Sequence, residues 1–147
     1  VRAVASVGAG FLLAVLWFDL MFDVQVRGYG GELPADVRDS IAAYYRRVTT
    51  TSRPMNRLVA AVMLLTLAAL IGEVALGATP LWAAVPSLAL VAVAVGVAAG
   101  RTVRSAVRLG TQVDSPDAQS TLARTIYRDH VFCFVAVAVT VILQIAA

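Results

Sequence analysis

The sequence predicts an all-α bundle of four transmembrane helices, on three observations. Of 147 residues, 60% are hydrophobic and 14% are charged, with mean hydropathy +0.82. A soluble domain carries roughly 45–50% apolar and about 25% charged residues. Four apolar stretches, at about 3–26, 55–78, 81–100 and 131–147, have the length and composition of membrane spans; a span needs roughly 20 such residues to cross about 30 Å of hydrocarbon. Eleven of the twelve arginines fall in the two segments between these spans, 27–54 and 101–130, and at their edges. This composition excludes an ordinary soluble enzyme, a disordered tail and a nucleic-acid module.

The first span opens the chain. Arg2 and the apolar run behind it could pass for a signal peptide, but no small-x-small site precedes Trp17 and Asp19 to Asp23 come directly after. The segment is therefore read as a span. Gly28, Gly30 and Gly31 then make a turn. Leu33-Pro34-Ala35-Asp36 begins an amphipathic helix with Val37, Ile41, Tyr44, Tyr45 and Val48 on its apolar stripe. Such a helix lies on the inner membrane surface or across the bundle mouth.

Ser52-Arg53-Pro54 caps the second span, and Thr79-Pro80 forms a short outer connection to the third. The third span continues inward through Arg101, Arg104 and Arg108, with Gly110 as the expected stop. Asp114-Ser115-Pro116-Asp117 is a helix start, with a capping residue, a proline and an acid in order. The fourth helix thus begins well before its membrane span.

The arginine distribution sets the expected orientation. Only Arg2 lies opposite the other eleven, so the positive-inside bias makes the arginine-rich side cytoplasmic and both termini external. The expected location is the bacterial inner membrane, multi-pass. Rows of small residues, Ala92-Gly96-Gly100, Ser6-Gly10-Ala14 and Ala68-Gly72, are expected to pack helices within the chain; a homodimer is the alternative use.

Polar residues at membrane depth are the candidate site. Asp19 and Asp23 share a helix face near the inner end of the first span. Asn56 and Arg57 begin the second at that level, Arg101 and Arg104 end the third, and His130 enters the fourth. The bland reading is an ion-pair layer joining the two aspartates to Arg57, Arg101 or Arg104. The sharper one is a cup formed by Asp19, Asp23, Asn56, Arg57, Arg101, Arg104 and His130. Its expected ligand is an anionic lipid headgroup, a small amphiphile or a partner subunit. An enzyme acting on a hydrophobic substrate would use His130 and Asp19 as acid–base groups, and would need an apolar cavity beside them.

A transporter or channel is the third possibility, with Glu73 and the Asp pair marking the ends of a path. The third span opposes it, having no polar side chain between Ser87 and Arg101. Glu73 is expected as a snorkelling or hydrogen-bonded residue of the outer face. No metal site and no cofactor motif is read. The one cysteine, Cys133, is expected as a small buried hydrophobe.

The strings Leu16-Trp17-Phe18-Asp19-Leu20-Met21-Phe22-Asp23-Val24-Gln25, Tyr44-Tyr45-Arg46-Arg47-Val48-Thr49 and Pro54-Met55-Asn56-Arg57-Leu58 resemble a group of uncharacterised bacterial four-helix integral membrane proteins. That resemblance covers most of the chain and implies the fold without an activity. More distantly, the layout is similar to the anthrone-oxygenase-like membrane family, through four short spans, Asn56-Arg57 at an inner helix start and Arg124 to His130 before the last span. These positions form no diagnostic motif, so the oxygenase activity is not carried over.

Overall fold

The computed structural model of the chain describes residues 1–147, except for the side chain of Arg53. Six α-helices account for most of the chain: α1 (Arg2–Asp23), α2 (Ala35–Arg46), α3 (Arg53–Leu76), α4 (Leu81–Val97), α5 (Val103–Thr111) and α6 (Pro116–Ala146). A π-helical turn, Arg47–Thr51, succeeds α2, and a second, Ala98–Thr102, joins α4 to α5 without a break. Four helical stretches are long and apolar enough to cross a membrane: Arg2–Val26, Pro54–Leu76, Leu81–Thr111 and Pro116–Ala146. The protein is therefore a multi-pass membrane protein built as a four-helix bundle, with α2 as an extra helix between the first two spans.

The spans form a ring in which α1 touches α3 and α6, and α4 touches the same two. Large apolar side chains point out of it. Val7, Trp17, Leu64, Leu76 and Ile142 are all exposed, as lipid-facing residues must be. The seams between helices are made of small residues that let backbones approach. Ala5, Ala69, Leu70 and Val91 form one cluster, Ala9, Leu12 and Val137 a second, and Ala94, Cys133 and Ala136 a third. Gly8 lies so close to Thr66 that any Cβ there would collide with its hydroxyl.

These seams are not the rows expected from sequence. Gly10, Ala68, Ala92, Gly96 and Gly100 face outward, and the seams use neighbouring faces. Four-residue spacing identifies a flat helix face but not the direction in which the helix turns it.

A second core, of the kind found in soluble proteins, closes the arginine-rich end. Val26, Leu33, Ile41, Ala42, Tyr45, Ala106, Leu109, Ala123 and Ile126 pack together there, so α2 lies across the mouth of the bundle against α5 and the first turns of α6. Ser115 caps α6, accepting from the Ala118 amide, with Pro116 at the first turn. The stop of α5 differs from expectation. The helix runs through Thr111, and Gln112 takes the left-handed conformation at φ 54°. Gly110 serves packing instead: a Cβ there would lie 2.9 Å from the Arg46 amide nitrogen. That approach lets the Arg46 Nε donate to the Gly110 carbonyl at 2.9 Å.

Candidate functional site

The site is assembled where α1, α2 and α6 meet beneath the α2 lid. Asp19 and Asp23, one helical turn apart, face inward from α1. Tyr44 and Tyr45 come down from α2 to meet them. The Tyr44 hydroxyl donates to Asp19 Oδ1 at 2.6 Å, and the Tyr45 hydroxyl donates to Asp23 Oδ1 at 2.6 Å. Phe22 stacks on the Tyr44 ring at 4.0 Å between centroids, which fixes the angle of that phenol.

His130, from α6, completes the cluster. Its Nδ1 lies 2.6 Å from Asp23 Oδ2 and 3.3 Å from the Tyr45 hydroxyl. Asp23 is fully buried, with both oxygens occupied by partners. Because the Tyr45 proton goes to Asp23, the short contact at Nδ1 is best satisfied by an Nδ1–H donating to the same carboxylate. That assignment sets the tautomer by its hydrogen bond and leaves Nε2 as the free imidazole nitrogen. Nε2 points toward Asp19, whose Oδ2 is 3.9 Å away. The arrangement sets the two aspartates apart: Asp23 holds the ring through Nδ1, and Asp19 sits beside Nε2.

Burial and the neighbouring Asp19 and Asp23 carboxylates push both the Tyr44 and Tyr45 phenols well above the ordinary tyrosine value. Both therefore remain hydrogen-bond donors throughout the physiological range.

The cluster forms one wall of a cavity of about 530 Å³, within the range of small-molecule sites, about 300–1,000 Å³. Asp19, His130, Tyr44, Tyr45, Thr49, Asn56 and Thr102 are its polar lining residues; the rest of the lining is apolar, including Phe11, Leu16, Val59, Met63, Val95 and Cys133. Both π-helical turns contribute, through Val48 and Thr49 from one and Ala98 and Thr102 from the other. Such turns often mark functional positions. The first half of α3 contributes Met55, Asn56, Val59 and Met63, a single helical face. None of these four is fully buried, while Thr66, Leu70 and Glu73 in the second half are. The cavity is thus open on the side where α3 stands off from its neighbours.

The seven site residues expected from sequence divide into three groups. Asp19, Asn56 and His130 line the cavity, and Asp23 stands directly behind His130. Asn56 donates from Nδ2 to the Thr49 carbonyl at 3.2 Å, which ties the start of α3 back to the π-helical turn. Arg57, Arg101 and Arg104 are exposed and do not line it. Arg101 makes a two-pronged ion pair with Asp129, its Nε at 2.9 Å from Oδ2, and Thr102 donates to the same oxygen at 3.0 Å. The aspartates are held by Tyr44, Tyr45 and His130 rather than by arginines.

Tyr44, Tyr45 and Asp129 are the site-forming residues that sequence reasoning passed over. The signal for the tyrosines was their place on the buried stripe of α2, since a buried tyrosine hydroxyl requires a partner. Cys133 lines the cavity with its Sγ 3.7 Å from the Ala94 carbonyl. Among the described residues no group of three or more His, Cys, Asp or Glu is placed to hold a metal ion. Comparison with protein-family models, curated proteins and solved structures gave no match to this chain.

Proposed function

We propose that the protein takes a hydrophobic small molecule from the bilayer into the cavity and that His130 exchanges a proton with its polar end. The observation that carries this reading is the Asp23–His130 contact of 2.6 Å, with Nε2 left without a hydrogen bond on a residue that lines a largely apolar cavity of about 530 Å³. A buried carboxylate that orients an imidazole and stabilises its protonated form is the arrangement general acid–base catalysis uses.

Charge decides which ligands fit. One carboxylate, Asp19, stands at the polar wall with Asp23 behind it, and no arginine does, so an anionic group there would be repelled and desolvated together. A hydroxyl, a carbonyl or an enol suits it. Nε2 takes a proton from a hydroxyl, or from a carbon next to a carbonyl, and the imidazolium formed is balanced by Asp23 and Asp19. Returning that proton to a different atom of the same molecule completes a prototropic shift, with no electrons gained or lost. The Tyr44 hydroxyl, at the rim of the cluster, orients Asp19 during both transfers.

Anionic lipid headgroups belong to a different surface in this reading. Arg57 and Arg104 are exposed at the end of the bundle that carries α2 and α5, where guanidiniums pair with phosphate. The positive-inside bias puts that end in the cytoplasm, and the inner membrane of a bacterium is the proposed location.

The test is extraction of whatever small molecule accompanies the full chain purified in mild detergent. The wild type is expected to release an apolar compound in stoichiometric amount. Ala98→Trp, which fills the cavity from the α4 side, is expected to release little. His130→Gln should retain the compound while failing to convert it. Equal extracts from wild type and Ala98→Trp would overturn the reading.

A further inference from the structure

The opposite end of the bundle holds a second polar cluster. Glu73 on α3 is fully buried, as are Ser87 on α4 and Gln144 on α6, and Thr79 in the α3–α4 connection is 3% exposed. The Gln144 Nε2 donates to Glu73 Oε2 at 2.9 Å, which links two helices that do not otherwise adjoin in the ring. Beyond that bond, four buried side-chain oxygens have no hydrogen-bond partner: Glu73 Oε1, Gln144 Oε1, Ser87 Oγ and Thr79 Oγ1. Buried polar atoms are almost always paired, and a group of four orphans in one region requires a physical cause.

Helix geometry brings these four residues to the same end of the bundle. Ala69 and Leu70 on α3 and Val91 on α4 belong to one core cluster. Glu73 lies one turn above Ala69 and Ser87 one turn above Val91, because α4 runs antiparallel to α3, so the two share a level and a face. The Gly77 amide and the Ala78 amide both bond to the Glu73 carbonyl, the latter at 3.1 Å. The connection therefore folds tightly over the Glu73 turn and carries Thr79 inward. Gln144 is joined to Glu73 directly.

The donor set has a definite chemistry. It offers one carboxylate, one amide carbonyl and two hydroxyls, all hard oxygens, which suit hard cations over transition metals. A single negative charge among neutral oxygens balances one positive charge. Among the described residues no basic group forms an ion pair with Glu73. The nearby guanidinium of Arg2 is engaged with the Gln144 carbonyl oxygen at 2.7 Å instead. An ionisable side chain within a span commonly marks an ion pathway or site.

We propose that Glu73, Gln144, Ser87 and Thr79 form a site for a dehydrated monovalent cation of the sodium class. The cation replaces its hydration shell with the four orphaned oxygens and ties α3, α4 and α6 together at the end of the bundle remote from the cavity.

The experiment is thermal unfolding of the full chain in detergent, in sodium chloride against choline chloride at equal ionic strength. Binding to the folded state alone raises the midpoint saturably with sodium, here by about 3 °C or more. Glu73→Gln should abolish that rise, and Ser87→Ala should move half-saturation to higher sodium by at least about threefold, roughly the loss of one modest contact. His130→Gln should keep the full response, which separates this site from the cavity. Equal midpoints in the two salts, or a Glu73→Gln response matching the wild type, would overturn the proposal. Should Glu73→Gln not fold, sodium-23 NMR of the wild type and Ser87→Ala decides. A broadened line that lithium sharpens in the wild type and that Ser87→Ala weakens supports the site; identical lines contradict it.

Discussion

About 21 Å of α6, at 1.5 Å per residue, separates His130 from Gln144, and the polar groups around these two residues are satisfied in opposite ways. Around His130 both oxygens of Asp23 and the hydroxyls of Tyr44 and Tyr45 are engaged within the protein. The imidazole Nε2 makes no hydrogen bond, and His130 and Asp19 both line the cavity. Around Glu73 a single hydrogen bond joins two of four residues, and four oxygens stay unmatched. A closed network fixes the position of one reactive atom. An open one leaves oxygens unengaged. Burial alone therefore does not distinguish a catalytic cluster from a ligand cage, whereas the count of satisfied atoms does.

The largest expected effect tests that contrast directly. Asp23→Ala leaves the Tyr45 hydroxyl and the His130 ring without their shared partner, and losing one member of a buried pair costs about 3–5 kcal/mol. Glu73→Gln, compared in sodium-free buffer, removes a carboxylate that has only one bond to lose, so its cost should be clearly smaller. Denaturant unfolding in detergent measures both, and equal losses would erase the distinction.

Next in size is Gly110→Ala. The new Cβ would meet the backbone of Arg46 at 2.9 Å, and overpacking of this kind costs about 1–3 kcal/mol. The strain falls on the α2–α5 contact, so it should loosen Tyr44 and Tyr45 over the aspartates while the sodium response at the other end is unchanged. Disturbance of both ends together would mean that they are one cooperative unit.

The smallest effect concerns pH. Burial and the Asp19 and Asp23 charges raise the folded-state values of Tyr44 and Tyr45 above those of the unfolded chain. Their contribution to stability is therefore fully present below the unfolded value, roughly 10, and is lost as pH rises from there toward the folded values. Tyrosinate absorbance assigned to Tyr44 and Tyr45, by difference against Tyr44→Phe and Tyr45→Phe, should accordingly develop only above the ordinary tyrosine range. Ionisation of either at the ordinary tyrosine value would place it in water.

Much of the fold was legible because hydropathy and capping are local properties. Ser115 and Pro116 announce the start of α6, and the apolar stripe through Ile41 and Tyr45 announces α2. At the site, the four-residue spacing of Asp19 and Asp23 placed both on one face, and depth alone brought His130 to their level. The arginines were harder to place, and the π-helical turn Ala98–Thr102 is the reason for two of them. It inserts about one extra residue and so rotates the remainder of the helix by roughly 100°. Arg101 and Arg104 are carried out of the bundle, while Thr102 faces in. Glu73 was legible as an outer-end residue, but its burial depends on the rotation of α3 relative to α6, which no local pattern encodes. The same freedom of rotation hid the seams behind the small-residue rows.

The acid–base reading depends on the state of one imidazole, and the chain contains only one histidine. Nitrogen-15 NMR of histidine-labelled protein in nanodiscs reads both ring nitrogens without ambiguity. The predicted spectrum has a protonated, strongly hydrogen-bonded Nδ1 that disappears into an ordinary shift in Asp23→Asn. It also has an Nε2 whose shift differs between wild type and the cavity-filling Ala98→Trp. An Nε2–H tautomer, or ring shifts indifferent to both substitutions, would contradict the claim that Asp23 aims His130 into the cavity.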